Sequence, residues 1–302
     1  MNLLKIIDDL NLENVDQDEF LKPALRRGLF KKASEFSLKA AMASLPIAMM
    51  AMPRIAKANG QDALSILNYA LKLEYLEKEF YTLGLASTST VGFGSYRPVF
   101  EQIKKHEVEH VDAITNLIKA LGGTPVAKPT FDFTGAKGTG APGPFADVFS
   151  NFSTFLALSQ AFEDTGVRAY KGKAADLISP SDTLTGLTAG LTVALQIHSV
   201  EARHASIVRR IRRKNLESGA GAAKGWITQK NLEGLPLAAA GVYGAGSDAN
   251  MFPAEDNKTQ GGVNLGTALV LPAGVTQNHI TEAFDEPLDE ATVLSIAGLF
   301  IV

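Results

Sequence analysis

The amino-acid sequence predicts an all-α protein built around a four-helix bundle. Four long stretches without internal proline carry apolar residues every three or four positions, the period of an amphipathic helix. They span residues 62–84, 99–121, 147–171 and 182–215. The connection over 122–146 is rich in Gly, Pro and Thr and is too long for a turn between antiparallel neighbours. We therefore expect a crossover between the second and third helices.

Local signals set the ends of these helices. Asp62 is a suitable N-cap, Gly84 ends the first stretch, and Gly122-Gly123 ends the second. Gly172 follows the third stretch. The fourth ends in a run of cations that suits the helix macrodipole: Arg209, Arg210, Arg212, Arg213 and Lys214.

The chain contains one pattern of polar residues twice. In each copy a helical stretch carries a glutamate with a tyrosine seven positions later, and the next stretch carries Glu-x-x-His. The first copy is Glu74, Tyr81, Glu107 and His110, and the second is Glu163, Tyr170, Glu201 and His204. One Glu-x-x-His is weak evidence of a site, but two copies after matched helices are strong evidence.

The spacing of Glu-x-x-His indicates a metal centre. A helix turns about 100° per residue, so the two side chains project on one side, one turn apart. Four carboxylates inside a bundle are too costly unless cations neutralise them, and two divalent ions supply the required charge. The alternative is a polar core network without metal, which leaves too much charge unpaired.

Two Glu and two Glu-x-x-His from four helices resemble the ferritin-like di-iron carboxylate superfamily. Residues 68–77 are also similar to the first-helix signature of exported ferritin-like domains, a family that includes desiccation-related proteins. The resemblance implies a ferritin-like four-helix bundle and two divalent metal ions, with iron ahead of manganese. It also implies that Glu107 and Glu201 bridge the ions, that Glu74 and Glu163 are terminal ligands, and that each ion takes one histidine. These six residues are the predicted ligands: Glu74, Glu107, His110, Glu163, Glu201 and His204.

Other polar residues near the pattern have more than one interpretation. Tyr81 and Tyr170 are expected to support the ligands, with an ordinary core role as the alternative. Glu77 lies one turn from Glu74 and is an extra ligand, a supporting residue or a solvated one. His106 and Glu109 are expected to point away from Glu107 into solvent.

Composition restricts the partners. The chain of 302 residues has a net charge of -3 and no cysteine. It therefore lacks the basic surface that binds nucleic acid, and its metal ligands must be oxygen and nitrogen. The expected partners are metal ions and O2 or peroxide, and a homo-oligomer is compatible with the pattern.

Residues 1–59 resemble a leader with a twin-arginine export signal. Arg26-Arg27 precede an apolar run over 40–52 and a small-x-small site at 56–58. The run is too short for a transmembrane helix. We expect export to the periplasm or another extracytoplasmic space, whereas an amphipathic helix in place of a signal would leave the protein in the cytoplasm.

The bundle domain is predicted over 60–216 and a C-terminal extension over 217–302. The extension reads as mostly irregular, with a strand at 267–271 and an apolar helix within 284–302 that docks on the bundle. It offers no chemistry of its own.

The function that these features favour is a di-metal oxidoreductase in stress protection. The resemblance implies ferroxidase-like or manganese-catalase-like activity without deciding between them. An iron-storage subunit is one alternative. The other is a non-catalytic stress-protection or structural protein in which the metals only stabilise the fold.

Overall fold

The computed structural model of the chain describes residues 60–86, 89–139, 142–177, 185–215, 224–269, 271 and 274–302. The leader lies outside the described residues, so the export signal stays a prediction. Four long helices dominate the fold: α1 (Gly60–Gly84), α2 (Arg97–Ala120), α3 (Phe152–Ala174) and α4 (Thr185–Asn215). None of the described helices is both long and apolar enough to cross a membrane.

The helix ends follow some of the local signals and depart from others. α1 begins at Gly60, so Asp62 lies inside the helix and is not its N-cap. Pro98 lies in the first turn of α2, and Gly122 follows α2 with a φ of 76°. The predicted start of α3 near residue 147 is wrong. The Asn151 side chain accepts hydrogen bonds from the N–H groups of Ser153 and Thr154, and this N-cap fixes the start at Phe152.

The four helices pair as two hairpins. α1 packs mainly against α2 and α3 mainly against α4. Asn68 near the start of α1 bonds to the backbone of Thr124 and Val126 beyond the end of α2, so these two helices are antiparallel. The long connection over 121–151 leads to the second hairpin, and the predicted all-α bundle with its crossover is confirmed.

Two apolar clusters fill the bundle. The first is aromatic, and in it Phe80 stacks on Phe155 with ring centroids 4.6 Å apart. The second surrounds Leu71, Ile114 and Ile118 toward the other end. The polar pattern of the sequence lies between them.

The C-terminal extension consists of short elements. They are a 3-10 helix (Leu237–Val242), β1 (Thr259–Gln260), β2 (Val263–Asn264), α5 (Leu265–Ala268), α6 (Gln277–Thr281) and α7 (Glu290–Ala297). The predicted strand at 267–271 is wrong. The Asn264 side chain accepts a hydrogen bond from the Gly266 N–H and caps α5, and Leu269 is 50% exposed, without a sheet to cover it. The predicted terminal helix is confirmed as α7, which packs on α1 and α3.

Close backbone contact attaches the extension to α3. A Cβ at Gly172 would stand 2.0 Å from the carbonyl oxygen of Leu288, so only glycine lets the two backbones approach. The Leu288 N–H donates to the Arg168 carbonyl at 3.1 Å. Gly172 therefore lies inside α3, where it makes room for the extension, and does not end the helix.

The last residues of the chain are tied to the crossover. The Asp132 N–H donates to the Phe300 carbonyl at 2.8 Å, and the Val302 N–H donates to the Thr130 carbonyl at 3.0 Å. The Phe300 ring lies 5.0 Å from that of Phe162 on α3. The chain end thus packs into the aromatic cluster.

Candidate metal centre

The six residues of the repeated pattern meet in the middle of the bundle. α1 supplies Glu74, α2 supplies Glu107 and His110, α3 supplies Glu163, and α4 supplies Glu201 and His204. The four carboxylates are 0% exposed, and the two imidazoles are 8% and 3% exposed. Charges so far from water require counter-charges at close range.

One group forms around His110. Its Nδ1 lies 3.1 Å from Oε2 of Glu74 and 3.2 Å from Oε2 of Glu107. Oε1 of Glu201 is 3.3 Å from the same nitrogen. Three helices, α1, α2 and α4, therefore contribute to this group.

A second group forms around His204. Its Nδ1 lies 3.0 Å from Oε1 of Glu107 and 3.3 Å from Oε2 of Glu163. Oε1 of Glu201 lies at 4.0 Å. This group draws on α2, α3 and α4.

The two groups share their carboxylates. Glu107 presents Oε2 to His110 and Oε1 to His204, and Glu201 presents Oε1 to both. Within each group the ligand atoms lie within 4.8 Å of one another. Ligands bonded at about 2.0–2.2 Å to one ion stand roughly 3.0–3.5 Å apart, as most of these atoms do.

Hydrogen bonding does not explain this convergence. Oε1 of Glu107, Oε2 of Glu163, both Glu201 oxygens and Nδ1 of His204 are buried without a hydrogen-bond partner. Some of them nevertheless lie within ion-pair distance of one another. Oxygen and imidazole donors arranged in this way fit a pair of metal ions.

A comparison with known families decides what kind of bundle this is. A family model described as a ferritin-like domain matches residues 62–214, about half of the chain, and that range includes all six residues. The chain belongs to the ferritin-like domain family. No curated protein matches it.

Two tyrosines of this ferritin-like domain link its hairpins at the site. Tyr81 on α1 donates a hydrogen bond to Glu163 on α3, and Tyr170 on α3 donates to Glu74 on α1. The crossed pairing shows that α1 and α3 are antiparallel. Each tyrosine therefore orients the glutamate of the opposite helix and leaves its other oxygen free for the centre.

Glu77 is buried beside the centre, with 3% of its surface exposed. It occupies the place on α1 that Gly166 occupies on α3, three residues after the glutamate of each copy. A Cβ at Gly166 would lie 2.9 Å from Oε2 of Glu201 and 3.3 Å from Oε1 of Glu77. The glycine thus makes room for a fifth carboxylate, and the solvated interpretation of Glu77 is wrong.

The expectation that His106 is merely exposed is also wrong. Nδ1 of His106 lies 2.8 Å from Nε2 of His204, across the α2–α4 contact. Glu109, in contrast, is exposed and has only a loose ion pair with Lys105 at 3.8 Å, as its spacing predicts. The second copy has Val200 where the first has His106, and this difference is the sequence feature that could have indicated a role for His106.

The buried charges shift one another's proton affinities. Burial raises the pKa of Glu74 to about 7 and also raises the pKa of Glu201. Burial opposes the charged imidazole of His204, but Glu163 and Glu107 outweigh it and raise its pKa to about 11. Burial likewise opposes ionisation of Glu107, yet the His110 and His204 imidazoles beside it lower its pKa to about 2.

These shifts predict how pH acts on the metal-free protein. The pKa values of Glu74 and His204 in the folded state lie above their ordinary values of 4.5 and 6.5, so the folded protein retains protons that the unfolded chain has lost. The free energy of unfolding that these groups contribute therefore falls as pH rises from 4.5 to 11. Glu107 acts in the opposite sense, but only below 4.5. Metal ions entering this site would have to displace the retained protons, so their binding is expected to strengthen with pH.

We therefore expect the melting temperature of metal-free protein to fall between about pH 5 and pH 9. Over the same range, the increase in melting temperature caused by metal should grow. Differential scanning calorimetry with and without Mn(II), in buffers that do not bind metal, measures both. Parallel curves with a constant difference would contradict the assignment of protons to the site.

Proposed function

We propose that this ferritin-like protein binds two divalent metal ions, iron ahead of manganese, and uses them to oxidise Fe(II) or to dispose of peroxide. The observation that carries the proposal is the sharing of Glu107 and Glu201 between two groups. Two ions held by these groups would share both carboxylates. A protein needing a single structural ion would have no use for the second group.

The side chains supply binding, orientation and exclusion of water. Each group offers three carboxylate oxygens and one imidazole nitrogen, which leaves coordination positions for O2 or peroxide. A bound pair of redox-active ions supplies the electron transfer that side chains lack. Tyr81 and Tyr170 hold the terminal carboxylates, and the aromatic cluster around Phe80 keeps that side dry.

A non-catalytic role is the second candidate, and one observation favours it. Each group takes ligands from both hairpins, so bound ions would cross-link the two hairpins and stabilise the bundle. An iron-storage subunit is a further alternative, and it requires many copies to assemble into a shell.

The test begins with metal-free protein loaded with two equivalents of Fe(II) under anaerobic conditions. On admission of O2 we expect Fe(III) absorbance to rise faster than with a Glu107→Ala variant, by about tenfold or more. Mn(II)-loaded protein given H2O2 tests the peroxide reaction by O2 evolution. Protein that keeps both ions but is inert in both assays would overturn the catalytic proposal and support the non-catalytic role. Size-exclusion chromatography tests the storage alternative, because a shell of many copies elutes far earlier than a monomer.

On the leader alone, we infer that this activity operates outside the cytoplasm. Arg26-Arg27, the apolar run and the small-x-small site support that placement. Protection of an exported compartment against iron and peroxide stress is the role that suits it.

A further inference from the structure

The two copies of the repeated pattern differ immediately before Glu-x-x-His. His106 precedes Glu107 in the first copy, and Val200 precedes Glu201 in the second. Histidine and valine cannot serve the same purpose, because only the imidazole accepts or donates a hydrogen bond. The approximate symmetry of the centre is therefore broken at this position.

His106 contacts the ligand histidine of the opposite hairpin. Its ring lies edge to edge with that of His204 and nearly coplanar with it, with centroids 5.1 Å apart and an angle of 10° between the planes. Nδ1 of His106 lies 2.8 Å from Nε2 of His204, and Nε2 of His106 lies 2.7 Å from Nε2 of the Gln102 amide. His106 is half-buried and Gln102 is exposed, so this chain of contacts runs from the centre to solvent.

The direction of the hydrogen bonds follows from the ligand atoms. Nδ1 of His204 faces the carboxylates, so it is the nitrogen that would bind an ion, and the proton of a neutral ring then lies on Nε2. That N–H donates to Nδ1 of His106. With the Gln102 amide turned so that its oxygen faces His106, that oxygen accepts from the N–H on the far side of the ring.

His110 has no equivalent support. Among the described residues, its hydrogen bonds all involve Nδ1, to Glu74 and Glu107, and none involves Nε2. The ring centroid of His110 lies 6.5 Å from that of His106, and the hydrogen bonds of the described residues include none between the two. The two ligand histidines thus differ in what holds them.

We propose that His106 is a positioning residue that makes the two metal positions unequal, so that the position of Glu163 and His204 binds its ion more tightly. This inference rests on the proposed metal pair. A hydrogen bond to the outer nitrogen of a ligand histidine fixes the tautomer and the ring orientation and increases the basicity of the ligand nitrogen. Removal of such a partner typically lowers metal affinity by about 10- to 100-fold.

The test uses calorimetric titration of metal-free, full-length protein with Mn(II), with bound ions counted by elemental analysis. The wild type should bind two ions with different Kd values. His106→Phe, which keeps the ring but removes the acceptor, should weaken only one of them, by about 10- to 100-fold. His106→Asn restores an acceptor oxygen and should recover most of the affinity. Lys105→Phe, an exposed neighbour on α2, should change neither value.

Two ligand variants identify which ion is affected. Glu74→Gln weakens the position of His110, so adding His106→Phe should then weaken the remaining ion. Glu163→Gln weakens the position of His204, so adding His106→Phe should have no further effect. Wild-type protein that fails to bind two ions would refute the proposed function. If the wild type binds two ions but His106→Phe leaves both affinities unchanged, or lowers both equally, this inference alone is refuted.

Discussion

Replacing Glu107 by alanine should remove both metal ions, because this carboxylate presents one oxygen to each group. A ligand shared by two ions cannot be lost without weakening both, so metal content should fall from two ions toward none, not by half. Elemental analysis after dialysis against trace metal measures the stoichiometry. The increase in melting temperature caused by metal should disappear as well. Each ion at 100 times its Kd contributes about 2.7 kcal/mol to the free energy of unfolding.

The matched control is Glu109→Ala, two residues further along α2. The Glu109 side chain is 61% exposed and its nearest cation, Lys105, lies 3.8 Å away. Both substitutions exchange glutamate for alanine in the same helix, so their helix propensities cancel. Equal metal content in the two variants would mean that the convergence of the six residues does not serve metal binding.

Replacing Arg168 by methionine should cost about 3–5 kcal/mol of unfolding free energy, the usual penalty for removing one partner of a buried charge pair. The guanidinium is fully buried, and its Nε lies 2.9 Å from Oε1 of Glu255. The same side chain donates to the carbonyls of Glu286, Gly244 and Pro253 at 2.9–3.0 Å. Its loss removes a donor from those carbonyls and the counter-charge from Glu255, which keeps the hydrogen bond from the Glu286 N–H.

Urea denaturation gives the free energy, and limited proteolysis should reveal cleavage within the extension while α1–α4 stay protected. Arg213→Met, an exposed arginine at the end of α4, should change stability by about 0.5 kcal/mol or less. The double variant Arg168→Met with Glu255→Leu should recover part of the loss, because it removes both buried charges. A single variant as stable as the wild type would show that the extension holds by apolar packing alone.

The bundle and the six central residues were predictable because each depends on a pattern within one helix. A glutamate in the middle of an apolar stripe is anomalous, and the repetition of Glu107-x-x-His110 as Glu201-x-x-His204 makes chance an inadequate explanation. Helical period also placed Glu109 in solvent. These inferences required no knowledge of how the helices cross.

The rest depends on contacts between segments far apart in the chain. His106 lies about 100° from Glu107 on α2, and only the approach of α4 brings it onto His204. Arg168 binds backbone carbonyls, which have no signature in the sequence. Gly172 was interpreted as a helix end, because the sequence does not distinguish a glycine that lets another backbone approach from one that ends a helix.

The crossed tyrosine bonds and the mixed ligand groups both need the two hairpins to be docked together. The hairpin of α1 and α2 holds Glu74, Glu107 and His110 but lacks Glu201, and the hairpin of α3 and α4 lacks Glu107. Neither hairpin therefore offers a complete set of ligands until the crossover over 121–151 has closed and the two have docked. A metal pair bound as proposed would therefore be captured only after the two hairpins have docked in the correct register.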